Sequence, residues 1–314
     1  MKMIKPMEPI LSSKVVNEEE YIHQIKWDGI RGLTYIDNDI IRLYTKKGHE
    51  RTEFYPELKE LNTLMQTRSA ILDGELIILN DEMRPSFNLS LYRERVRTKS
   101  KISYYAIKYP VKYILFDILY IDGKDLRDYP LEERISILNK TVKKSRNITI
   151  TDSFDNGEQL LELMKQKNYE GIVSKNRYSK YIEGKKHNDW FKTKIFKKML
   201  ALVCGIKFNN KTVKSLLLGI YSGDSIIYIG NANGSLTQKD MYLLMENINV
   251  IRSYESPFID VIKEKDIVFL KPVITCWVSF LEWTNNNTLR QPHIIGFSKE
   301  KPTKANGKEY TYHG

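Results

Sequence analysis

The sequence predicts an α+β protein, in which a larger domain built on antiparallel sheets is followed by a small β-barrel. Two observations favour this fold class. Short β-branched and aromatic runs dominate the first two thirds of the chain, and the helix-like segments between them are too few and too irregular for a regular strand–helix alternation. In the last third, short strands are separated by glycine-, asparagine- and aspartate-rich turns.

In the first region the strand-like runs are GLTYID, IIRLYT, AILDGELIIL, VKYILFDILYI, GIVSK and DWFKTKIF. Helix-like spacing of apolar residues occurs at 55–65, 131–143 and 158–166. Because consecutive strand-like runs often follow one another without a helix between them, the sheets are expected to be antiparallel.

After residue 194 the strand-like runs are 199–208, 215–221, 226–229, 267–270 and 275–283, and one helix-like segment, 238–250, interrupts them. Five strands with one inserted helix in about 115 residues suit a Greek-key barrel of the OB type. We therefore place the boundary near residues 196–199, which gives domains at 1–197 and 198–314.

The chain of 314 residues has 50 Lys and Arg against 39 Asp and Glu, a net charge of +11. Such a surplus suits a polyanionic partner, although a merely lysine-rich composition explains the charge equally well. The two cysteines, Cys204 and Cys276, match no metal-ligand spacing and are expected to be buried, reduced thiols. No apolar run reaches the ~18 residues that span a bilayer, and the first residues do not form a signal peptide, so a soluble cytoplasmic protein is expected.

The chemistry is indicated by several short fragments in a fixed order. A Lys-x-Asp-Gly segment, KWDGIR at 26–31, is a weak signal alone, but DGE at 73–75, FD at 116–117, EGIVSK at 170–175 and WFKTK at 190–194 follow it. Alternation along a strand puts Lys192 and Lys194 on one face. Carboxylates and lysines that converge at strand ends suit a metal–nucleotide site, since Mg²⁺ prefers carboxylate oxygens and lysines offset phosphate charge.

The order KxDGxR, DGE, FD, EGxVxK and WxKxK resembles the covalent nucleotidyltransferase superfamily, which includes ATP-dependent DNA ligases, RNA ligases and mRNA capping enzymes. The resemblance runs from about residue 6 to residue 302. PMEPIL near the start, SFLEWT at 279–284 and RxPxxxGF at 290–297 are similar to compact bacterial DNA ligases, especially the ligase module of bacterial end-joining proteins. The resemblance implies an ATP-grasp-like nucleotidyltransferase domain followed by an OB-fold domain.

The resemblance implies that Lys26 attacks the α-phosphate of ATP and holds AMP as a phosphoramidate. Phe116 would stack on adenine, and Lys192 and Lys194 would stabilise phosphate charge during transfer. The nucleotide-binding residues are then expected to be Gln24, Arg31, Lys46, Glu75, Phe116, Lys186, Lys192 and Lys194. Glu75 and Glu170 are expected to bind Mg²⁺ or Mn²⁺.

Three positions depart from the family pattern. Gln24 stands where DNA ligases commonly have a glutamate that reads the adenine amine, and glutamine still offers an acceptor oxygen. Lys46 replaces an arginine and cannot form the bidentate fork on a phosphate. Ser298 replaces the arginine of the closing motif, so AMP loading is expected to be slow or to use Arg290 or Lys299 instead.

Between residues 84 and 112 there are eight basic residues and a single acid, Glu94, interleaved with tyrosines. This composition predicts a phosphate-binding strip, the alternative being a charged, solvated loop. The residues expected to contact DNA are Arg93, Arg95, Arg97, Arg290 and Lys301.

The function that the resemblance implies is ATP-dependent sealing of 5′-phosphate/3′-hydroxyl nicks in DNA, in repair or end joining. The alternatives are a degenerate, non-catalytic DNA clamp, an RNA ligase and an mRNA guanylyltransferase. The expected partner is nicked duplex DNA, with a Ku-type end-binding protein left open, and the expected state is a nucleoid-associated monomer. Whether the chain is a full protein or one module of a longer one stays open, as does a role in repair, replication or a phage.

Overall fold

The computed structural model describes residues 2–210, 212–263 and 265–312. The chain divides into two compact units, Met1–Lys194 and Ile195–Gly314, and the predicted boundary after residue 197 lies slightly further along the chain. No helix in the described ranges is both long and apolar enough to cross a membrane.

Unit 1 contains ten strands in two sheets: β1 (Glu8–Ser12), β2 (Tyr21–Ile25), β3 (Ile30–Asp37), β4 (Ile40–Thr45), β5 (Ser69–Ile77), β6 (Lys112–Ile121), β7 (Lys124–Asp125), β8 (Ile148–Ile150), β9 (Gly171–Asn176) and β10 (Lys186–Lys194), counted over the described residues. The four-stranded sheet has the order β1-β10-β9-β2. The six-stranded sheet has the order β4-β3-β5-β6-β7, with β8 beside β6. Each predicted strand-like run of this unit contains an observed strand, but β1–β10 and β6–β8 pair in parallel, so the sheets are not purely antiparallel.

The α-helices of unit 1 are α1 (Leu61–Leu64), α2 (Phe87–Glu94), α3 (Ile102–Lys108), α4 (Leu131–Thr141) and α5 (Gly157–Gln166), and 3₁₀ turns lie at Thr52–Phe54, Pro56–Glu60 and Lys99–Lys101. The predicted helices at 131–143 and 158–166 are confirmed as α4 and α5. Helix α5 begins after Asn156, whose side chain accepts the backbone N–H of Gln159 at 2.9 Å and so caps the first turn. The predicted helix at 55–65 is mostly 3₁₀, with one α-turn at its end.

Two carboxylates in the middle of the six-stranded sheet are buried and neutralised. Asp117 on β6 accepts two hydrogen bonds from Arg134 of α4, at 2.8 and 3.0 Å, and both side chains are fully buried. Asp73 on β5 accepts two from Arg31 of β3, at 2.7 and 2.6 Å. The apolar cores on either side could not hold these carboxylates without such partners, because an unpaired buried charge is costly.

Unit 2 is a closed barrel. Its elements are β11 (Phe196–Asn209), β12 (Thr212–Ser222), β13 (Ser225–Gly234), α6 (Gln238–Glu246), α7 (Ile248–Ile251), β14 (Ile267–Phe280), β15 (His293–Ser298), a 3₁₀ turn at Pro302–Lys304 and β16 (Glu309–Tyr312). Strands β11 to β15 form a ring, since β11 pairs with both β14 and β12, and β16 pairs with the first residues of β11. Five ring strands with a helix after the third suit an OB fold.

The sequence placed two separate strands at 267–270 and 275–283, and the structure corrects this to the single strand β14. The backbone register jumps from Phe269 opposite Gly205 to Ile274 opposite Val203, so residues 270–273 bulge out of the ladder. Pro272 lies in this bulge, where its missing N–H leaves no ladder hydrogen bond unmade. The predicted helix at 238–250 is likewise shorter, ending at Glu246 before the separate turn α7.

Both cysteines lie in unit 2 as free, buried thiols, as the sequence predicts. Burial raises the pKa of Cys204 and of Cys276 to about 12, so both are protonated and unreactive at neutral pH.

Replacing Arg134 with methionine should destabilise unit 1 by about 3–5 kcal/mol, because Asp117 would keep a buried charge with no partner. Urea unfolding, with hydrogen exchange to assign the loss to unit 1, measures the effect. The control is Lys180→Met, whose partner Asp128 is 88% exposed and whose loss should change stability by about 0.5 kcal/mol or less. Equal losses in the two variants would contradict a structural role for the buried pair.

Candidate active site

Three charged side chains meet at one edge of the four-stranded sheet. Lys26 follows directly after β2, Glu170 directly precedes β9, and Lys194 is the last residue of β10. The backbone of Gly171 connects them, since its carbonyl accepts the N–H of Lys26 at 3.0 Å and it lies opposite Lys194 in the ladder. Gly171 has φ +145°, and a Cβ there would lie 2.0 Å from the carbonyl oxygen of Thr193, so only glycine fits beside Glu170.

The Glu170 carboxylate bridges the two lysines. One oxygen lies 2.5 Å from the Lys26 Nζ and the other 2.9 Å from the Lys194 Nζ, while the carboxylate is almost fully buried. Burial opposes ionisation of Glu170, but the charges of Lys26 and Lys194 outweigh it and lower its pKa to about 2. Glu170 is therefore ionised at neutral pH, and it fixes the amine of Lys26 in position.

A cavity opens beside Lys26 between residues of both sheets of unit 1. Of the predicted nucleotide-binding residues, Gln24, Lys26, Arg31, Lys46, Glu75, Phe116 and Lys192 line it, together with Glu8, Pro9, Ile25, Trp27, Thr151, Val173, Lys175 and Trp190. Glu170 and Lys194 reach this group through their ion pairs with each other and with Lys26. Lys186 is exposed at the start of β10 and is not among the lining residues. Burial lowers the pKa of Lys192, and the charges of Lys194, Lys26 and Lys186 lower it further.

Arg31 and Phe116 form part of the cavity wall. The guanidinium of Arg31 is fixed by Asp73 and lies 4.7 Å from the centroid of the Phe116 ring. Burial opposes its charge, yet the Asp73 carboxylate raises the pKa of Arg31 above its already high value. Arg31 is thus a permanently charged group of fixed orientation, and Phe116 offers an aromatic face to a planar ligand.

Glu75 lies on β5 opposite Arg31. Burial raises the pKa of Glu75 to about 8, although Lys26 and Arg31 act in the opposite direction. In the described ranges no three His, Cys, Asp or Glu side chains are placed to hold a metal ion together. The Glu75 carboxylate at the cavity suits a Mg²⁺-type ion, which takes one or two carboxylates from the protein and most of its ligands from water and substrate phosphates.

Gln24 and Lys46 each have a polar partner at the cavity wall. The amide nitrogen of Gln24 donates to the Ser153 Oγ at 3.1 Å, so the acceptor oxygen predicted to read a base is not used by that bond. The ammonium of Lys46 lies 2.5 Å from the carboxylate of Glu8. Burial opposes ionisation of Glu8, but Lys46, Lys192 and Arg31 together lower its pKa.

Sequence reasoning missed Glu8, Lys175 and Trp190 as site residues. Lys175 is buried, and its Nζ lies 4.4 Å from the centroid of Phe116 and 4.3 Å from that of Trp190. Burial lowers the pKa of Lys175 to about 7. The quoted motifs contain all three, since EGIVSK includes Lys175, WFKTK includes Trp190 and PMEPIL includes Glu8. The parallel pairing of β1 with β10, which no motif reveals, places Glu8 beside the strand of Lys192.

The predicted DNA-contacting residues do not all lie at the surface. The prediction that Arg93 contacts DNA is wrong, because its side chain is fully buried and its Nη2 donates to Glu57 at 3.3 Å. Arg95, Arg97 and Lys301 are exposed. Arg290 is largely buried, and its guanidinium lies 2.8 Å from Glu282.

His23 lies directly beneath the cavity wall, one residue before Gln24. Its Nδ1 lies 2.9 Å from the Ser174 Oγ, and its Nε2 is buried without a hydrogen-bond partner among the described residues. Burial lowers the pKa of His23, with Asp155 opposing the shift. The folded protein thus holds a neutral imidazole at this position.

Two sequence profiles match the chain, that of the ATP dependent DNA ligase domain over residues 3–194 and that of the ATP dependent DNA ligase C terminal region over residues 209–301. The multifunctional non-homologous end joining protein LigD of Mycobacterium bovis is 27% identical over 284 residues, which are 88% of this chain and 36% of LigD. The SPbeta prophage-derived DNA ligase-like protein LigB of Bacillus subtilis is 32% identical over 202 residues, 64% of this chain and 70% of LigB.

Solved structures of DNA ligases also resemble this chain. A mycobacterial DNA ligase D complexed with ATP and MES superposes with a TM-score of 0.53 and 25% identity, covering 96% of this chain and 97% of that one. A Lig E DNA ligase superposes with a TM-score of 0.63, covering 95% and 100%, and at 17% identity it shows the fold alone. The predicted fold class, a nucleotidyltransferase domain followed by an OB-fold domain, is confirmed.

The buried imidazole should make the stability of unit 1 depend on pH. The pKa of His23 is lowered in the folded state, so as the pH falls the unfolded chain takes up a proton before the folded protein does. The free energy of unfolding is therefore unaffected by His23 above about pH 6.5 and decreases below it. Between pH 7.5 and 5.5 the wild-type protein should lose up to about 1.4 kcal/mol more than His23→Gln, as measured by urea unfolding. The same pH dependence in both proteins would contradict a neutral His23.

Proposed function

The chain belongs to the ATP-dependent DNA ligase family, and on this premise we propose that it seals 5′-phosphate/3′-hydroxyl nicks in duplex DNA through an AMP carried on Lys26. The observation that carries the proposal is the bridge from Glu170 to Lys26 and Lys194 at the mouth of the cavity. It fixes one amine beside an aromatic-walled pocket with a second lysine next to it, which suits attack on a phosphate.

We assign the first transfer to residues of unit 1. The Lys26 ammonium would first lose a proton to solvent, and its Nζ would then attack the α-phosphorus of ATP, forming an N–P bond and releasing a second proton as the bond to pyrophosphate breaks. Lys192 lines the cavity and Lys194 adjoins it, so both could offset the charge on the phosphate oxygens. Phe116 would carry the adenine, and the amide oxygen of Gln24, which the bond to Ser153 does not use, would accept a hydrogen bond from the adenine amine.

AMP would then pass from Lys26 to the 5′-phosphate of the nick, and the 3′-hydroxyl would displace it. Lys46 and Arg31, which both line the cavity, would hold that phosphate. A bound Mg²⁺ or Mn²⁺, with Glu75 as its protein ligand, would neutralise phosphate charge during transfer. Glu170 is the weaker candidate for this role, because both of its oxygens already contact lysines.

The relatives support a place in DNA repair. The mycobacterial LigD that matches is named as a non-homologous end joining protein, but the match spans only 36% of its length. We therefore propose end joining as the process, nicked duplex DNA as the substrate and a Ku-type end-binding protein as a partner to be tested. Arg95, Arg97 and Lys301 are exposed and remain candidates for phosphate contacts.

Incubation with labelled ATP and Mg²⁺ should attach one AMP to the protein, and Lys26→Ala should abolish it, because Lys26, of the two lysines that Glu170 holds, is the one that lines the cavity. The readout is intact mass, with protein first stripped of AMP by pyrophosphate. The matched control is Lys59→Ala, an exposed lysine of the same unit, which should load AMP normally.

Loading of GMP from GTP instead would favour the guanylyltransferase alternative. Failure to load either nucleotide would favour a degenerate DNA clamp. If AMP loads on the wild-type protein and also on Lys26→Ala, the assignment of the nucleophile is wrong even though the family chemistry stands.

Glu8→Gln should increase affinity for a nick that carries a 5′-phosphate. The Glu8 carboxylate lies against Lys46, and the charges of Lys192 and Arg31 also act on it. Glu8 would therefore compete with a bound phosphate for these three cations. The AMP-loaded protein, kept inactive with EDTA, should bind a 5′-phosphorylated nick several-fold more tightly in the variant, by fluorescence anisotropy. One salt bridge of this exposure corresponds to about 1 kcal/mol or less, or roughly fivefold.

A nick with a 5′-hydroxyl is the control, and its affinity should not change. If Glu8→Gln instead weakens binding of the phosphorylated nick, then Glu8 orients Lys46 rather than competing with the phosphate.

A further inference from the structure

Four tyrosine rings form an exposed cluster on the segment that connects β5 to β6. This tyrosine cluster consists of Tyr92 of α2, Tyr104 and Tyr105 of α3, and Tyr109. Neighbouring ring centroids are 5.2 to 6.1 Å apart, and the hydroxyls of Tyr92 and Tyr105 lie 3.0 Å from each other. Tyr92 is 51% exposed and Tyr104 is 56% exposed.

The apolar core of unit 1 makes little use of these rings. Among the described residues, Tyr109 alone of the four packs against a core cluster, and only as a partly buried neighbour. Aromatic rings gain most when both faces are covered, so a surface group of four is poorly explained by folding alone. Their exposed faces are available to a planar ligand.

The charges around the cluster favour a polyanion over an apolar protein surface. The Lys108 ammonium lies 5.6 Å from the Tyr104 centroid and 5.4 Å from that of Tyr109. Between residues 84 and 112 the single acid, Glu94, is occupied by Arg51 and by the hydroxyl of Tyr55. Asp81 and Glu82 precede this stretch, and Glu82 pairs with Arg84. The exposed basic side chains of the same segment are Arg95, Arg97, Lys99, Lys101 and Lys108, of which Lys99 is paired with Glu53.

We propose that the tyrosine cluster binds unpaired nucleotides of single-stranded DNA, by stacking bases on the rings while the neighbouring cations contact the phosphates. Stacking on an exposed ring needs a base with a free face, which a base inside a duplex does not offer. The segment is connected at both ends to strands with candidate site residues, β5 with Glu75 and β6 with Phe116. The proposal extends the proposed function from the nick to the unpaired strand beside a break.

The test is fluorescence anisotropy of the full chain with a labelled oligothymidylate of about 12 nucleotides, within the usual site size for such surfaces. The double variant Tyr92→Ala/Tyr104→Ala should bind at least about tenfold more weakly, since stacking contributes strongly per base. Tyr92→Phe/Tyr104→Phe keeps the rings and should bind like the wild type. The matched control is Tyr178→Ala, another surface tyrosine of unit 1 at 60% exposure, which should also bind like the wild type.

Unchanged affinity of the alanine double variant for the oligonucleotide would overturn the proposal, and would leave a protein partner as the better occupant. An equal loss of affinity for a fully paired, nicked duplex would also overturn it, because the surface would then not distinguish unpaired bases. Nick sealing by the wild-type protein is measured in parallel. If the wild-type protein seals no nicks but oligonucleotide binding still depends on the rings, the proposed ligase activity is wrong and the proposed single-strand binding by the tyrosine cluster is supported.

Discussion

The bridge from Glu170 to Lys26 and Lys194 is the interaction on which the rest of the site depends. Three separate chain segments converge there, and the backbone of Gly171 sets their spacing through its carbonyl and its place opposite Lys194. Because the carboxylate is buried and ionised, it holds the Lys26 amine in one place and keeps Lys194 beside it. Chemistry at Lys26 therefore requires that this ion pair be exchanged for contacts with an incoming nucleotide.

Two arginines in and next to the six-stranded sheet are each paired with a buried aspartate. Asp73 neutralises Arg31 and Asp117 neutralises Arg134, while Lys175 lies against the faces of two aromatic rings. A buried ion pair adds little stability compared with apolar packing, but the loss of one partner is costly. The arrangement thus contributes orientation more than stability, and it presents Arg31 and Phe116 to the cavity from a rigid base.

Much of the site could be predicted because its residues belong to short motifs inside strands. Alternation along a strand predicts that Lys192 and Lys194 share a face, and both are at the site. Glu8 could not be found this way, because it depends on the parallel register of β1 with β10. Arg93 was misassigned since a run of basic residues does not reveal which one turns inward, and its partner Glu57 is distant in sequence. Likewise, Pro272 concealed the continuity of β14, because a bulge depends on the partner strand.

The most direct test of the central claim is a crystal structure of the protein soaked with ATP and Mg²⁺. Continuous density should join the Lys26 Nζ to the α-phosphorus, with adenine against Phe116 and the Glu170 carboxylate released from Lys26 but still in contact with Lys194. Nucleotide bound without a covalent bond would show that Glu170 holds Lys26 out of reach. AMP attached to Lys192 instead would contradict the claim that the Glu170 bridge selects the nucleophile.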